Sequence, residues 1–268
     1  NYLLHFGTDK TLDFTKQFFI VNNLDKLCRD VVASCNVCQA SKYHTRATRG
    51  TMYYELPEKP GKVISLDIFG PLPQTARGNK YILVIMDQFS KLTKFYLMPN
   101  QKLDTIIDTL QLQCFNDVGI PDEILTDNAG QFITGRWREF VTEMGLTARK
   151  TSPYNPQSNP VERVMREIGR IIRVYAYDRQ IRWDRIIARA EKTINSTTHS
   201  STGCRPTDLH QGQNDLLTIN ERLKPLEEEE DEQEAETKLQ ATIERAAETL
   251  RKRAAKRKVQ ADKSEEAK

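Results

Sequence analysis

Val63-Ile-Ser-Leu-Asp-Ile-Phe69 is a run of apolar and β-branched residues with a single acid inside it. Such side chains fit a pleated, half-buried surface, and Gly70-Pro-Leu-Pro73 stops the run, so it is expected to be a strand. An aspartate inside a strand rarely faces a core without a partner, which sets Asp67 apart from its neighbours. Two similar runs follow, Tyr81–Asp87 and Leu92–Met98, with Arg77-Gly-Asn79 in the first turn region. Three consecutive strands open this part of the chain.

The pattern then alternates. Residues 103–118 carry helical periodicity and end at Gly119 and Pro121. Glu123–Leu125 is a short strand, Thr134–Met144 a helix stopped by Gly145, and Leu146–Lys150 another strand. Residues 151–160 hold three prolines and two asparagines and are expected to form an irregular loop. Pro160 suits the first turn of a helix running to about residue 177, and Trp183–Asn195 forms a further helix. Three strands followed by alternating helices and strands predict an α/β fold, a sheet with helices on its faces.

The 268 residues suggest one to three domains, at roughly 100–200 residues each. Mean hydropathy is -0.62 and no apolar run approaches the roughly 20 residues that cross a bilayer, which excludes a transmembrane chain and a membrane partner. No signal peptide is visible and residue 1 is Asn, so the chain is expected to be an excised segment. The formal net charge of +3 conceals polarity: residues 1–50 and 51–214 are each net +3 and residues 215–268 net -3. Between Arg163 and Lys192 stand nine basic and four acidic residues. In the tail, Glu227–Glu236 is acidic and Arg251–Lys258 basic, while Leu239, Ile243, Ala246 and Leu250 recur at steps suited to an amphipathic helix or coiled coil.

The cysteines, Cys28, Cys35, Cys38, Cys114 and Cys204, are odd in number with one close pair. That is no disulfide framework and points to a reducing compartment. Residues 11–34 read as helical, with Cys28 in the core. Zinc takes four thiolate or imidazole ligands, and a Cys-x-x-Cys knuckle supplies two from one turn. His5, Cys35 and Cys38 are therefore candidate zinc ligands, and a unit of about 45 residues gains from a metal staple.

Three acids stand out as a candidate catalytic and metal-binding set. Asp67 interrupts its strand. Asp127 follows Ile124-Leu-Thr126 at the carboxyl end of a strand, where α/β sheets bind ligands. Glu162 opens a helix on which Arg166, Arg170 and Arg173 follow at steps of 4, 4 and 3, on the same face. A carboxylate heading an arginine stripe suits a metal-dependent site that acts on a phosphodiester, the arginines neutralising backbone phosphates.

These motifs together resemble the integrase region of a gypsy-type LTR retrotransposon, related to retroviral integrases. His5-Phe-Gly-Thr-Asp-Lys-Thr11 and Cys35-Asn-Val-Cys-Gln-Ala-Ser-Lys42 resemble the HHCC zinc-binding domain. Ser65-Leu-Asp-Ile-Phe-Gly-Pro-Leu-Pro73 and Tyr81-Ile-Leu-Val-Ile-Met-Asp-Gln-Phe-Ser-Lys91 resemble the start of the catalytic core. Leu125-Thr-Asp-Asn-Ala-Gly-Gln-Phe132 resembles the motif of the second acid, and Ser152-Pro-Tyr-Asn-Pro-Gln-Ser-Asn-Pro-Val-Glu-Arg163 that of the third. The motifs occur in family order across residues 1–210.

The resemblance implies an RNase H-like core with a mixed sheet over 61–212. A zinc-binding domain at 1–48 and a linker at 49–60 precede it, and a charged helical linker or coiled coil at 213–268 follows. It implies the DDE triad Asp67, Asp127 and Glu162 on Mg²⁺ or Mn²⁺, Zn²⁺ on His5, Cys35 and Cys38, and DNA contacts from Arg163, Arg166, Arg170 and Arg173. The implied enzyme is a polynucleotidyl transferase, processing the 3′ ends of LTR DNA and joining them to target DNA by two-metal phosphoryl transfer, with Asp67 bridging both ions. It is expected to act as a homo-oligomer, dimer or tetramer, in the nucleus on host DNA and in cytoplasmic virus-like particles beforehand. Asp87 is expected to support the fold and stand outside the triad.

Departures from the family pattern accompany the likeness. A first zinc-site His would fall before residue 1, and a C-terminal DNA- or chromatin-binding domain would follow residue 268. Asp127 and Glu162 are one residue closer than is usual, and Ala129, Asn155 and Met165 replace a usual Gly, His and Asn. The alternative reading is a domesticated, integrase-derived nucleic-acid or chromatin-binding protein without catalysis. A plain RNase H-like nuclease is disfavoured by the Cys-x-x-Cys unit.

Overall fold

The computed structural model describes residues 7–35, 57–127, 129–150, 161–175, 182–210 and 232–266, with the backbone alone at 162, 232–235 and 257–266. Its centre is a five-stranded sheet: β1 (Val63–Phe69), β2 (Tyr81–Asp87), β3 (Thr93–Met98), β4 (Glu123–Thr126) and β5 (Thr147–Lys150), in the order β3-β2-β1-β4-β5. The first three form an antiparallel meander, while β4 and β5 add in parallel beside β1. The α/β class and the mixed sheet are as expected. β2 reads as an almost unbroken apolar run because helices cover both of its faces.

Alternation along the strands sorts the core into two layers. Ile64, Leu66, Leu83, Ile85 and Ile124 face one side, where they meet α3 (103–118) and α4 (Gly135–Glu143) through Ile106, Leu110, Phe115, Trp137 and Phe140. Ile82, Val84, Met86 and Phe95 face the other, against α5 (Val161–Tyr175) and α6 (Asp184–Asn195). α3 is continuous but contains a π-helical turn, Leu110–Cys114, and ends where Gly119 takes a φ of 80°, a conformation glycine adopts without cost.

The open edge of the sheet at β3 is closed by side chains of α6. Asn195 accepts a hydrogen bond from the Thr93 amide (2.9 Å) and donates to the Thr93 carbonyl (2.7 Å), as a neighbouring strand would. Two residues on, the Glu191 carboxylate accepts from the Phe95 amide (2.9 Å) and pairs with Lys94 (3.2 Å). An unpaired strand edge is a template for aggregation, and α6 removes it.

The helical stretch expected over 11–34 is two helices, α1 (Thr8–Lys16) and α2 (Leu24–Ser34). Asn23, at a φ of 58°, makes the break. The apolar steps continue through Phe18 and Phe19, which hid that break in the sequence. Cys28 is buried, as expected of a core residue. α1 rests on the core through polar contacts: Lys10 pairs with Glu167 of α5 (3.2 Å), Asp13 accepts from the Thr198 amide (3.1 Å), and Arg205 donates to Gln17 (3.3 Å).

In the tail, α7 (Pro206–His210) precedes α8 (Glu232–Glu266). The apolar seam of α8 turns onto the core rather than toward a second helix: Ala246 and Leu250 are buried against Phe89 and Leu209, with Ile243 beside them. No helix among the described residues is long and apolar enough to cross a membrane.

Candidate active site

Strand register brings the first two acids together. β1 and β4 run parallel with Val63 beside Glu123, Ile64 beside Ile124 and Ser65 beside Leu125. Asp67 lies two residues beyond the last pair on β1, and Asp127 directly follows β4 at the same end of the ladder. Neighbouring strands lie about 4.8 Å apart, so the strand ends that carry the two acids are neighbours. Both residues are half-buried.

The pleat sets the face on which Asp67 stands. Ile64, Leu66 and Ile124 belong to the layer under α3 and α4. Ser65, Asp67 and Phe69 therefore project to the opposite side, and Leu125 with them, while Asp127 follows the end of β4. Asp67 is paired across the ladder with Val84, which packs under α5. Glu162 is the second residue of α5. The parallel pairing thus puts Asp67 and Asp127 at one end of neighbouring strands, and α5 carries Glu162 over the face on which Asp67 stands. The side chain of Glu162 lies outside the described atoms.

Local hydrogen bonds hold the aspartates in place. Asp67 accepts from the amide of Ile68 (2.7 Å). Asp127 accepts from the amide of Ala129 (3.0 Å), an Asx-type turn that shapes the loop after β4. Gly169 lets α5 approach the end of β1, since a Cβ there would stand 3.1 Å from Cζ of Phe69. A larger residue there would require the Phe69 ring to give by a few tenths of an ångström.

Asp87 is different. It is buried at the end of β2 and accepts hydrogen bonds from the amides of Gly61 (2.9 Å), Phe89 (3.2 Å) and Ser90 (2.6 Å) and from the Ser90 hydroxyl (2.6 Å). Its oxygens hold a turn together, in keeping with its exclusion from the triad.

Of the arginines on α5, Arg163, Arg166 and Arg173 are exposed and Arg170 is half-buried. Glu167, the one acid among them, is taken up by Lys10, whose Nζ lies 3.2 and 3.4 Å from its two carboxylate oxygens. The register of β4 and β5 sets Lys150 beside Thr126, on the face away from Asp67, so this exposed lysine adds nothing to the acids.

Carboxylate oxygens are the hard donors that Mg²⁺ takes, so two aspartates at neighbouring strand ends suit such an ion by their chemistry. Among the described residues no third carboxylate, imidazole or thiolate joins the pair. For zinc, Cys35 follows α2 directly and is half-buried, while His5 and Cys38 lie outside the described residues.

Comparison with known proteins agrees with this architecture. Residues 57–156 match the integrase core domain family, and residues 2–44 match the integrase zinc binding domain family. The Tf2-3 and Tf2-4 transposon polyproteins of Schizosaccharomyces pombe are each 25% identical over 212 residues. The match takes in 77% of this chain and 16% of each polyprotein, so the chain spans a small part of those relatives' length. A chain of the simian T-cell lymphotropic virus intasome, solved by cryo-EM in complex with PP2A regulatory subunit B56 gamma, aligns with a TM-score of 0.52 and 21% identity over 77% of this chain and 70% of that one. The shared fold is that of an integrase catalytic core.

Proposed function

We propose that this chain is the DNA integrase of a gypsy-type LTR retroelement, a polynucleotidyl transferase that trims the 3′ ends of LTR DNA and joins them to target DNA. One observation supports the reading most: β1, which bears Asp67, pairs in parallel with β4, which Asp127 follows, and the helix that bears Glu162 covers β1. Matches to the integrase core and zinc binding families support it.

Asp67, Asp127 and Glu162 would hold Mg²⁺ or Mn²⁺. Such ions supply an activated attacking oxygen and stabilise the leaving one in an in-line displacement. The chain's own residues do the rest. Asp67 stands on β1 and Asp127 directly after β4, and the pairing of those strands keeps the two chain segments side by side. Arg163, Arg166, Arg170 and Arg173 hold the phosphates of the DNA end beside them. Cys35, with His5 and Cys38, would bind zinc and close the N-terminal unit. The enzyme is proposed to work as a homo-oligomer in the nucleus after a cytoplasmic particle stage.

The decisive test is a Mg²⁺-dependent assay on LTR-end duplexes. Asp67→Asn, nearly isosteric at a half-buried position, is expected to abolish 3′ processing and strand transfer while leaving thermal unfolding unchanged. Retained strand transfer in that variant would refute the assignment of Asp67. A wild-type chain that binds the duplex but never joins it would identify a domesticated DNA-binding protein.

A further inference from the structure

The segment between Arg163 and Lys192 holds nine basic and four acidic residues, and the fold sorts them. Of the acids, Asp178 lies outside the described residues. Glu167 is paired with Lys10. Asp184 is buried, and Glu191 is turned onto β3, where it meets the Phe95 amide and Lys94. Burial pushes the Glu191 carboxyl up from its ordinary range, the cost of withdrawing an acid from water.

The basic residues of α6 are sorted the opposite way. Arg182, in the turn before the helix, and Arg185, Arg189 and Lys192 on it are all exposed. Their steps of 3, 4 and 3 keep them within an arc of about 80° at 3.6 residues per turn. The buried residues Ile187, Ala190 and Ile194 lie on the opposite side of the helix. The outward face of α6 is therefore single-signed, whereas ordinary solvated faces intersperse both signs.

We propose that this outward face, Arg182, Arg185, Arg189 and Lys192, is a second duplex-DNA backbone surface, separate from the arginines of α5. It deepens the reading of the chain as a DNA-joining enzyme and rests on it. The four cations span about 15 Å at 1.5 Å per residue, a length over which each strand of B-DNA presents a phosphate about every 3.4 Å of helix axis. α6 packs on β3, two strands from β1 and three from β4, at least about 10 and 14 Å from the aspartates' strands. The stripe cannot touch the phosphodiester that reacts. It holds DNA that flanks the reacting position and contributes to binding, not to the chemical step.

The test uses the full chain with Arg182, Arg185, Arg189 and Lys192 all changed to Gln. Duplex-DNA affinity is measured across a salt series. The slope of log Kobs against log salt is expected to become shallower by about 3 to 4, with single-turnover joining at saturating DNA unchanged. The double variant R185Q/K192Q should lower the slope by about 2, which guards against a folding defect in the quadruple one. An unchanged slope in both variants would overturn the proposal. So would an unchanged slope accompanied by loss of binding to polyglutamate, which would assign the face to an acidic protein partner. Failure of the catalytic reading registers separately, because Asp67→Asn tests joining and leaves the salt slope untouched.

Discussion

Asp67 and Asp87 are both strand acids with opposite surroundings. Asp67 is half-buried near the carboxyl end of β1, beside the strand that a second acid follows. Asp87 is buried, and three amides and a hydroxyl converge on its oxygens. Removing it would leave buried donors unpaired, at about 1–3 kcal/mol each when no water replaces the partner. Asp87→Ala is therefore expected to lower stability by about 3 kcal/mol in urea unfolding, while Asp67→Asn leaves it unchanged. The sequence set Asp67 apart as an acid in an apolar strand, and the motif it belongs to did the same. The bonding of Asp87 was not legible, because Gly61 stands 26 positions away and joins it only when β1 and β2 pair.

The elements show which local rules suffice. α3 and α4 end at glycines as their sequences require, and β2, apolar on both faces, is an interior strand covered on both sides. The pairing of α6 with β3 follows from no such rule. Asn195 lies 102 positions from Thr93 and supplies both a donor and an acceptor to its backbone. Asn195→Leu keeps the volume but strands the Thr93 amide and carbonyl, and is expected to cost about 2–4 kcal/mol in urea unfolding and to promote self-association along the exposed β3 edge. The site involves a similar long-range fit, since Gly169 of α5 sits closely against the Phe69 ring at the end of β1.

For the molecule as a whole, the segment 197–210 is where separate parts meet. α1 touches it at Thr198 and Arg205, and α8 packs on Leu209. His199 stands within it and accepts from the Ser201 amide (3.2 Å). Burial holds its ring pKa down to about 3, aided by Lys91 and by Lys10, Arg163 and Arg253 from α1, α5 and α8. The folded ring binds a proton less readily than the unfolded one, at about 6.5. Stability is therefore present above pH 6.5 and is lost as pH falls from there toward 3, by at most about 1.4 kcal/mol per unit and less where solvent screens the ring. His199→Gln is expected to flatten the decline between pH 6.5 and 4 in chemical denaturation. An equal slope in both proteins would show that other groups carry it.

The sequence by itself determined the sheet's strands, most helix ends and the identity of the candidate acids, because these depend on residue periodicity, turn residues and short motifs close in the chain. It also held the net basic block from Arg163 to Lys192. Only the tertiary structure decided the rest: that the strand bearing Asp67 pairs with the strand Asp127 follows, that the coiled-coil seam of α8 closes on Phe89 and Leu209, and that Glu167, Asp184 and Glu191 are paired or buried while the cations of α6 turn out. The reason is physical. Periodicity tells which face of an element is apolar, but register and partner choice depend on contacts between residues tens of positions apart, and those exist only once the chain has folded.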